Sequence, residues 1–160
     1  MRTVICPGSF DPVTNGHLDI LERTSVLFDR IIVAVGGNPY KEPLFSIAER
    51  IQMIREATRH LSNVEVEAFE GLTVNYAKEK GAIAILRGLR VNSDFEYEFM
   101  MASMNRKLEP KIENIFMMTS NAYAYLSSSA VKEVASLGGD VTDLVPEHVA
   151  VKLNEKFTKI

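Results

Sequence analysis

Five short apolar runs, separated by segments with helical periodicity, constrain the fold of this chain more than any other feature. They lie at residues 4–6, 31–35, 64–69, 82–86 and 115–118. Four of them are apolar throughout, as expected for strands that are buried on both faces, and only the third alternates with polar side chains. The alternation of strands and helices predicts an α/β fold: a doubly wound, Rossmann-like parallel sheet of five strands with helices on both faces.

The helical segments are predicted at residues 16–28, 46–61, 73–80, 93–108 and 130–137, with a last helix beginning near Pro146. Two of them open with the spacing of a capping box, Ser46 with Glu49 and Ser93 with Glu96. The 160 residues fit one domain, 1–160, and no internal repeat or low-complexity linker divides the sequence.

Composition excludes several classes of protein. Cys6 is the single cysteine, which rules out an intrachain disulfide and a cysteine-rich metal site. No apolar run approaches the roughly 20 residues that cross a bilayer, and the N-terminus lacks a signal-peptide layout, so we expect a cytoplasmic protein without a membrane partner. A net charge of −3 argues against a broad nucleic-acid surface. It still allows a local cluster of Lys and Arg to bind a small anion.

Ligands of such sheets bind beyond the carboxyl ends of the strands, so the residues that follow each predicted strand are the candidates. Polar and cationic side chains gather there: Ser9 to His17 after the first strand, Lys41 after the second, Thr73 after the third, Arg87 to Arg90 after the fourth, and Tyr123 to Ser129 after the fifth. The first loop has neither a dinucleotide fingerprint nor a P-loop. The cationic and polar residues at this edge therefore predict a phosphate-bearing ligand that is bound by neither of these two motifs.

The sequence Thr14-Asn15-Gly16-His17 stands at the start of the first helix. Free amides and the helix dipole favour an anion there, His17 can donate to a phosphate oxygen, and Gly16 would let the ligand approach. The alternative is that His17 is an ordinary helix-terminal residue bonded to backbone. The three serines 127–129 could bind nucleotide phosphates, or they could simply cap the helix that follows. The segment Arg87-Gly88-Leu89-Arg90 offers two guanidiniums to a phosphate, and its alternative interpretation is a solvated turn.

Together these segments resemble the bacterial phosphopantetheine adenylyltransferase family. The resemblance rests on PGSFDPVTNGH at 7–17, RGLR at 87–90, DFEYE at 94–98, MNR at 104–106 and SSS at 127–129, in the family's order and spacing. It includes the T-x-G-H signature of the wider nucleotidyltransferase superfamily. The resemblance implies transfer of AMP from ATP to 4′-phosphopantetheine, with Mg²⁺ carried by the nucleotide phosphates, giving dephospho-CoA and pyrophosphate in the penultimate step of coenzyme A synthesis.

The resemblance also implies roles for individual residues. His17 would stabilise the transition state and contact ATP, and the acceptor would be held by Ser9, Lys41, Thr73 and Arg87. The other ATP contacts would be Ser9, Phe10, Gly88, Leu89, Arg90, Glu98, Tyr123, Ala124, Tyr125, Leu126, Ser127, Ser128 and Ser129. It further implies a homohexamer and coenzyme A as a feedback inhibitor.

The residue types favour direct in-line attack by the acceptor phosphate. That phosphate is already ionised at pH 7 and needs no general base, and Cys6 lies in a strand rather than in a loop. The protein would then work by positioning and electrostatic stabilisation. Two alternatives stay open: a related enzyme that acts on nicotinamide mononucleotide or glycerol phosphate, and a regulatory nucleotide-binding domain without catalysis.

Three further expectations concern side chains outside these motifs. Met100, Met101 and Met104 share a helix, which favours core packing, although apolar residues on more than one face allow a subunit contact. The charged residues Glu49, Arg50 and Arg55 are expected on a solvated helix face. Asp11 is a conceivable metal ligand, but no metal site is assigned because Mg²⁺ usually binds to nucleotide phosphates with few protein ligands.

Overall fold

A computed structural model describes residues 1–91 and 95–158. Its strands are β1 (Thr3–Gly8), β2 (Arg30–Val35), β3 (Val64–Ala68), β4 (Ala84–Leu89) and β5 (Glu113–Met118). Its helices are α1 (Asn15–Leu27), α2 (Ile47–Ala57), α3 (Thr73–Glu79), α4 (Phe95–Leu108), α5 (Ser128–Ser136) and α6 (Glu147–Thr158), with a 3₁₀ turn at Asn121–Tyr123. No helix of the described part is long and apolar enough to span a membrane.

All strands are parallel, in the order β3-β2-β1-β4-β5, so the predicted fold class is confirmed. The chain winds from β1 toward β3 on one side and returns to β4 on the other, which makes β1 and β4 the switch point. β1 pairs with β2 along its whole length, but with β4 only through Val4 with Ala84 and Ile5 with Ile85. The two central strands therefore separate toward their carboxyl ends and leave a crevice.

Helices cover both faces of the sheet, but unequally. One face packs against α1, α2, α5 and α6 in a large core that includes the side chains of Val4, Val33 and Leu86. The other face has a smaller core, in which Ile5 and Ile32 meet residues of α3. Continuous apolar strands are needed because successive side chains point to opposite faces and both faces are buried.

Helix α4 contributes no buried residue to either core. Met100, Met101 and Met104 are 51%, 37% and 54% exposed, so the prediction that they pack in the core is wrong. Apolar periodicity identifies a face that avoids water, but it does not say whether the same chain covers that face. The predicted cap of this helix, Ser93, lies outside the described residues, as does Asp94 of the DFEYE motif.

Two other expectations are corrected. The fourth strand continues to Leu89 rather than ending at residue 86, because the backbone of Arg87, Gly88 and Leu89 still pairs with β5. Arg50 is only 2% exposed and does not lie on a solvated face. The capping box of Ser46 and Glu49 at the start of α2 is confirmed.

Candidate active site

Arg87 spans the crevice between β1 and β4. Its Nη1 donates to the carbonyl of Pro7 on β1 at 3.2 Å, while Nε and Nη2 donate to the two carboxylate oxygens of Glu98 on α4 at 3.1 and 2.6 Å. The guanidinium thus joins the central strands beyond the point where their backbone ladder stops. A planar donor fork held in this way is suited to binding a phosphate.

His17 is the third residue of α1, and both of its predicted roles are compatible with its geometry. The Thr14 N–H donates to His17 Nδ1 at 3.0 Å, and the His17 N–H donates to Thr14 Oγ1 at 3.3 Å, which completes a capping box. Because Nδ1 accepts a hydrogen bond, the neutral ring carries its proton on Nε2. The cap therefore orients the imidazole and leaves an N–H donor on its other side.

The charge state of His17 follows from its surroundings. Burial lowers its pKa to about 4, and the positive charges of Arg90 and Arg87 act in the same direction. The ring is therefore neutral at pH 7, and its hydrogen-bond donor is the Nε2–H of a neutral imidazole rather than of an imidazolium. The N-terminus of α1 and two guanidiniums make its neighbourhood electropositive, which favours a polyanion.

The loop after β1 is held by buried contacts. Phe10 is buried with φ of 49°, and its ring packs edge-on to the His17 ring with the centroids 4.9 Å apart. It also covers Gly8, where an added Cβ would lie 2.9 Å from the phenyl ring. Ser9, which precedes Phe10, is exposed.

Asp11 fastens this loop to two other elements. Its carboxylate accepts from the backbone N–H groups of Leu44 and Phe45 and from Lys132 Nζ on α5, each at 2.9 Å. Burial opposes ionisation, but Lys132 and the two amides outweigh it, so the pKa of Asp11 is lowered. Both carboxylate oxygens are already engaged, which leaves Asp11 a structural anchor rather than a metal ligand. The described residues contain no cluster of three or more metal-ligating side chains.

The segment from Tyr123 to Ser129 is bonded to residues on both sides of the crevice. Arg90 Nη1 donates to the Leu126 carbonyl at 3.0 Å, and Ser128 Oγ donates to the Pro12 carbonyl at 2.7 Å. Ser127 caps α5 by accepting from the Ala130 N–H at 3.1 Å, so its predicted capping alternative is confirmed, and Ser129 is exposed.

Gly16 is buried near the start of α1. A Cβ on this glycine would lie 3.4 Å from Tyr123 Cβ and 3.8 Å from a Leu126 methyl carbon, in ordinary van der Waals contact. The start of α1 therefore packs against residues 123–126, and the approach of a ligand at Gly16 stays a prediction.

The predicted acceptor residues Lys41 and Thr73 lie at the same edge of the sheet but farther along it. Lys41 is exposed in the loop after β2, and Thr73 is the first residue of α3 after β3. Within residues 1–91 and 95–158, neither side chain hydrogen-bonds to the His17 and Arg87 cluster. Cys6 is buried in β1, and burial raises its pKa to about 12, so its thiol stays protonated.

Sequence reasoning missed Arg50 and Lys132 as parts of this region. Arg50 Nη1 donates to the carbonyls of Ser9 and Gly36, at 2.8 and 3.1 Å. No local pattern marks a charged helical residue as buried, because helix periodicity does not show which loops fold over it. Lys132 lies only four residues after Ser128, yet its partner Asp11 is distant in sequence.

Comparison of the sequence with known proteins identifies a family and relatives that match nearly the whole chain. A family model described as cytidylyltransferase-like matches residues 5–134. A phosphopantetheine adenylyltransferase of Carboxydothermus hydrogenoformans is 59% identical over 159 residues, which cover 99% of this chain and 98% of that protein. A protein of the same name from Caldanaerobacter subterraneus subsp. tengcongensis is 58% identical, with 99% of each chain covered.

Solved structures reproduce the architecture at low identity. A protein of Vibrio parahaemolyticus, assigned provisionally as a nicotinate-nucleotide adenylyltransferase, superposes with a TM-score of 0.71 over 98% of this chain and 95% of its own. A lipopolysaccharide core biosynthesis protein of Thermoplasma volcanium gives 0.59 over 76% of this chain and 99% of its own. With identities of 17% and 24%, these likenesses concern the fold alone.

Proposed function

The chain belongs to the phosphopantetheine adenylyltransferases of the cytidylyltransferase-like family, and from that premise we propose how its crevice between β1 and β4 performs their reaction. The enzyme transfers the adenylyl group of ATP to 4′-phosphopantetheine, giving dephospho-CoA and pyrophosphate, in coenzyme A biosynthesis. ATP and 4′-phosphopantetheine are accordingly its substrates.

His17 carries the proposal for catalysis. Its ring is neutral, oriented by the Thr14 cap, and left with an Nε2–H donor at the N-terminus of α1. We assign this donor to the α-phosphate oxygens, where negative charge grows during in-line attack. A donor fixed before the reaction stabilises the transition state without reorganisation, and loss of one such donor typically costs about 10²–10³ in rate.

Arg87 carries the proposal for the acceptor phosphate, with Lys41, Thr73 and Ser9. A guanidinium has five N–H donors, and the bonds to Pro7 and Glu98 engage three of them. One N–H on each Nη atom is left, and this pair can hold the attacking phosphate. The phosphate is an ionised nucleophile, and the Cys6 thiol stays protonated, so direct displacement without a covalent intermediate fits these residues.

The remaining predicted contacts are assigned to ATP. Ser9 and Phe10 would meet it through the loop backbone, and Glu98 and the Gly88-Leu89-Arg90 segment would meet it from β4 and α4. Residues 123–129 would contact the nucleotide as well. This segment is held in place by the bond from Arg90 to the Leu126 carbonyl and by the bond from Ser128 to the Pro12 carbonyl. The free amides at the N-terminus of α5 suit phosphate oxygens.

Mg²⁺ is proposed to enter on the ATP phosphates. This fits the donor set, because the buried carboxylate of the loop after β1, Asp11, already accepts hydrogen bonds from two amides and the Lys132 ammonium. When bound, the ion would neutralise phosphate charge. The protein would contribute Arg90 and the helix N-termini around it.

Self-association is proposed from the uncovered face of α4. Phe95, Phe99, Met100, Met104 and Leu108 each expose more than half of their surface. Apolar side chains in one exposed patch mark an interaction surface, and the family resemblance implies a homohexamer. Sedimentation at micromolar concentration should show a species far heavier than one chain, and a clean monomer contradicts this assignment. Coenzyme A is proposed to compete with 4′-phosphopantetheine, because it contains the same pantetheine arm.

Pyrophosphate release from ATP with 4′-phosphopantetheine tests the proposed function directly. Nicotinamide mononucleotide with ATP, and glycerol phosphate with CTP, serve as matched alternative substrates in the same assay. We expect release only with 4′-phosphopantetheine. Equal release with another acceptor contradicts the assigned specificity, and binding of ATP without turnover would indicate a regulatory domain.

A further inference from the structure

Arg50 is a buried cation beneath the site. It lies on α2 with 2% of its surface exposed, and its Nη1 donates to the carbonyls of Ser9 and Gly36 at 2.8 and 3.1 Å. Its Nε donates to the Ser46 carbonyl at 3.4 Å. No carboxylate among residues 1–91 and 95–158 forms an ion pair with it, and the groups that accept its hydrogen bonds are neutral carbonyls.

The two distant carbonyls belong to two different loops of the site. Ser9 lies in the loop after β1, which is assigned to ATP, and Gly36 begins the loop after β2, which carries Lys41. One Nη atom joins both loops and fixes their separation. A packing side chain of the same volume would fill the space but would not fix the directions of these peptides.

The direction of the Ser9–Phe10 peptide follows from its planarity. In a trans peptide the carbonyl and the N–H point in opposite directions, and this bond is trans. Because the Ser9 carbonyl faces Arg50, the N–H of Phe10 points away from Arg50. The same holds for the N–H of Gly37, which follows the Gly36 carbonyl.

Burying a charge without a counter-charge is unfavourable, so buried charged side chains usually have a compensating charge nearby. We propose that Arg50 is a positioning residue for the adenylyl transfer. It orients the N–H groups of the two loops toward the substrates and places a fixed positive charge behind the phosphates of ATP. The polyanionic substrate is then the missing counter-charge. This inference rests on the proposed function.

The test compares Arg50→Lys and Arg50→Met with wild type and with the control Arg55→Lys. Arg55 is on the same helix and also donates to a carbonyl, that of Val66 at 3.0 Å, but it touches neither loop. Lysine keeps the charge and loses the two-carbonyl geometry, whereas methionine loses both. The measurements are thermal unfolding, Kd for ATP by calorimetry, and kcat with KM for each substrate.

We expect Kd for ATP to rise about tenfold in Arg50→Lys, because the charge-assisted hydrogen bonds that position the two loops are lost. Kd should rise further in Arg50→Met, because the positive charge is lost as well. Catalytic turnover should fall as well, and Arg55→Lys should match wild type in Kd, KM and kcat. If Arg50→Met does not fold, Arg50→Lys decides alone.

A lower unfolding temperature in Arg50→Lys with wild-type Kd, KM and kcat overturns the proposal, since it shows a purely structural role. Equal kinetic losses in Arg55→Lys overturn it too. The calorimetric arm separates this inference from the proposed function: ATP binding is measured without turnover, and failure of wild type to form dephospho-CoA would bear on the function alone.

Discussion

The two sides of the crevice are held in different ways. On the β1 side, Asp11, Arg50 and the cap of His17 fasten the loops through buried or half-buried hydrogen bonds within the chain. On the β4 side, Arg87 and Glu98 form an ion pair whose arginine is 40% exposed, and α4 buries none of its residues. Buried polar contacts are costly to break, whereas partly exposed ion pairs contribute little stability. The β1 side is therefore preorganised by the chain itself, and the β4 side depends more on what covers α4.

Removal of the His17 ring tests the β1 side most severely. In His17→Ala, kcat should fall at least about 10²-fold while ATP binding changes little, because the donor acts mainly on charge that develops in the transition state. Steady-state kinetics beside a direct ATP titration on the same folded sample measure both quantities.

His60→Ala is the matched control, since His60 bonds to Glu22 on the surface and should be silent in both measurements. Near-normal turnover in His17→Ala would falsify the catalytic role and leave His17 as a capping residue.

Loss of the Arg87 fork tests the β4 side. Arg87→Ala should raise Kd for 4′-phosphopantetheine about 10- to 100-fold and that for ATP far less, because hydrogen bonds from a guanidinium to a phosphate are charge-assisted. Calorimetric titration with each substrate measures the two effects. Equal losses for both ligands count against the assignment.

Glu98→Gln sharpens the same comparison. A weaker affinity for 4′-phosphopantetheine would mean that Glu98 acts by orienting Arg87, and a weaker affinity for ATP would support the direct contact that the family resemblance implies. In either case the free energy of unfolding should change by less than about 1 kcal/mol, because the pair is partly exposed.

Asp11→Asn should destabilise the protein more than Glu98→Gln does. The variant leaves Lys132 without its carboxylate and weakens the bonds to the Leu44 and Phe45 amides, which lowers the free energy of unfolding by about 1–3 kcal/mol. Urea unfolding at neutral pH measures it, and Asp140→Asn, at an exposed turn, is the control. Equal stability of the Asp11 and Glu98 variants would contradict the difference between the two sides.

The last test is a pH dependence of the free energy of unfolding. Burial lowers the pKa of His17 from the ordinary histidine value of 6.5 to about 4 in the folded protein, so the unfolded chain binds this proton more tightly. The contribution of neutral His17 to the free energy of unfolding is therefore fully present above pH 6.5 and is lost as the pH falls toward 4. Denaturant unfolding across this range should show a loss that is absent in His17→Gln. A wild-type profile identical to that of the variant would contradict the lowered pKa.

Much of this arrangement was predictable from the sequence. Four of the five strands follow from continuous apolar runs and β3 follows from alternation, and T-x-G-H after the first run indicates the His17 loop. The predicted end of β4 was wrong because it rested on hydrophobicity alone. Arg87 is charged and interrupts the apolar run, but its backbone still pairs with β5. The roles of the individual site residues stay predictions until the variants are measured.

Local sequence determined the elements, the helix caps and the clustering of cationic residues at one edge, because these depend on periodicity and on neighbours a few residues apart. Tertiary structure alone decided that Arg87 bridges β1 and Glu98, that Arg50 lies beneath Ser9 and Gly36, and that α4 leaves its methionines exposed. These are contacts, or missing contacts, between elements far apart in the chain. A side chain's burial and charge state depend on which elements reach it, and no local pattern records that.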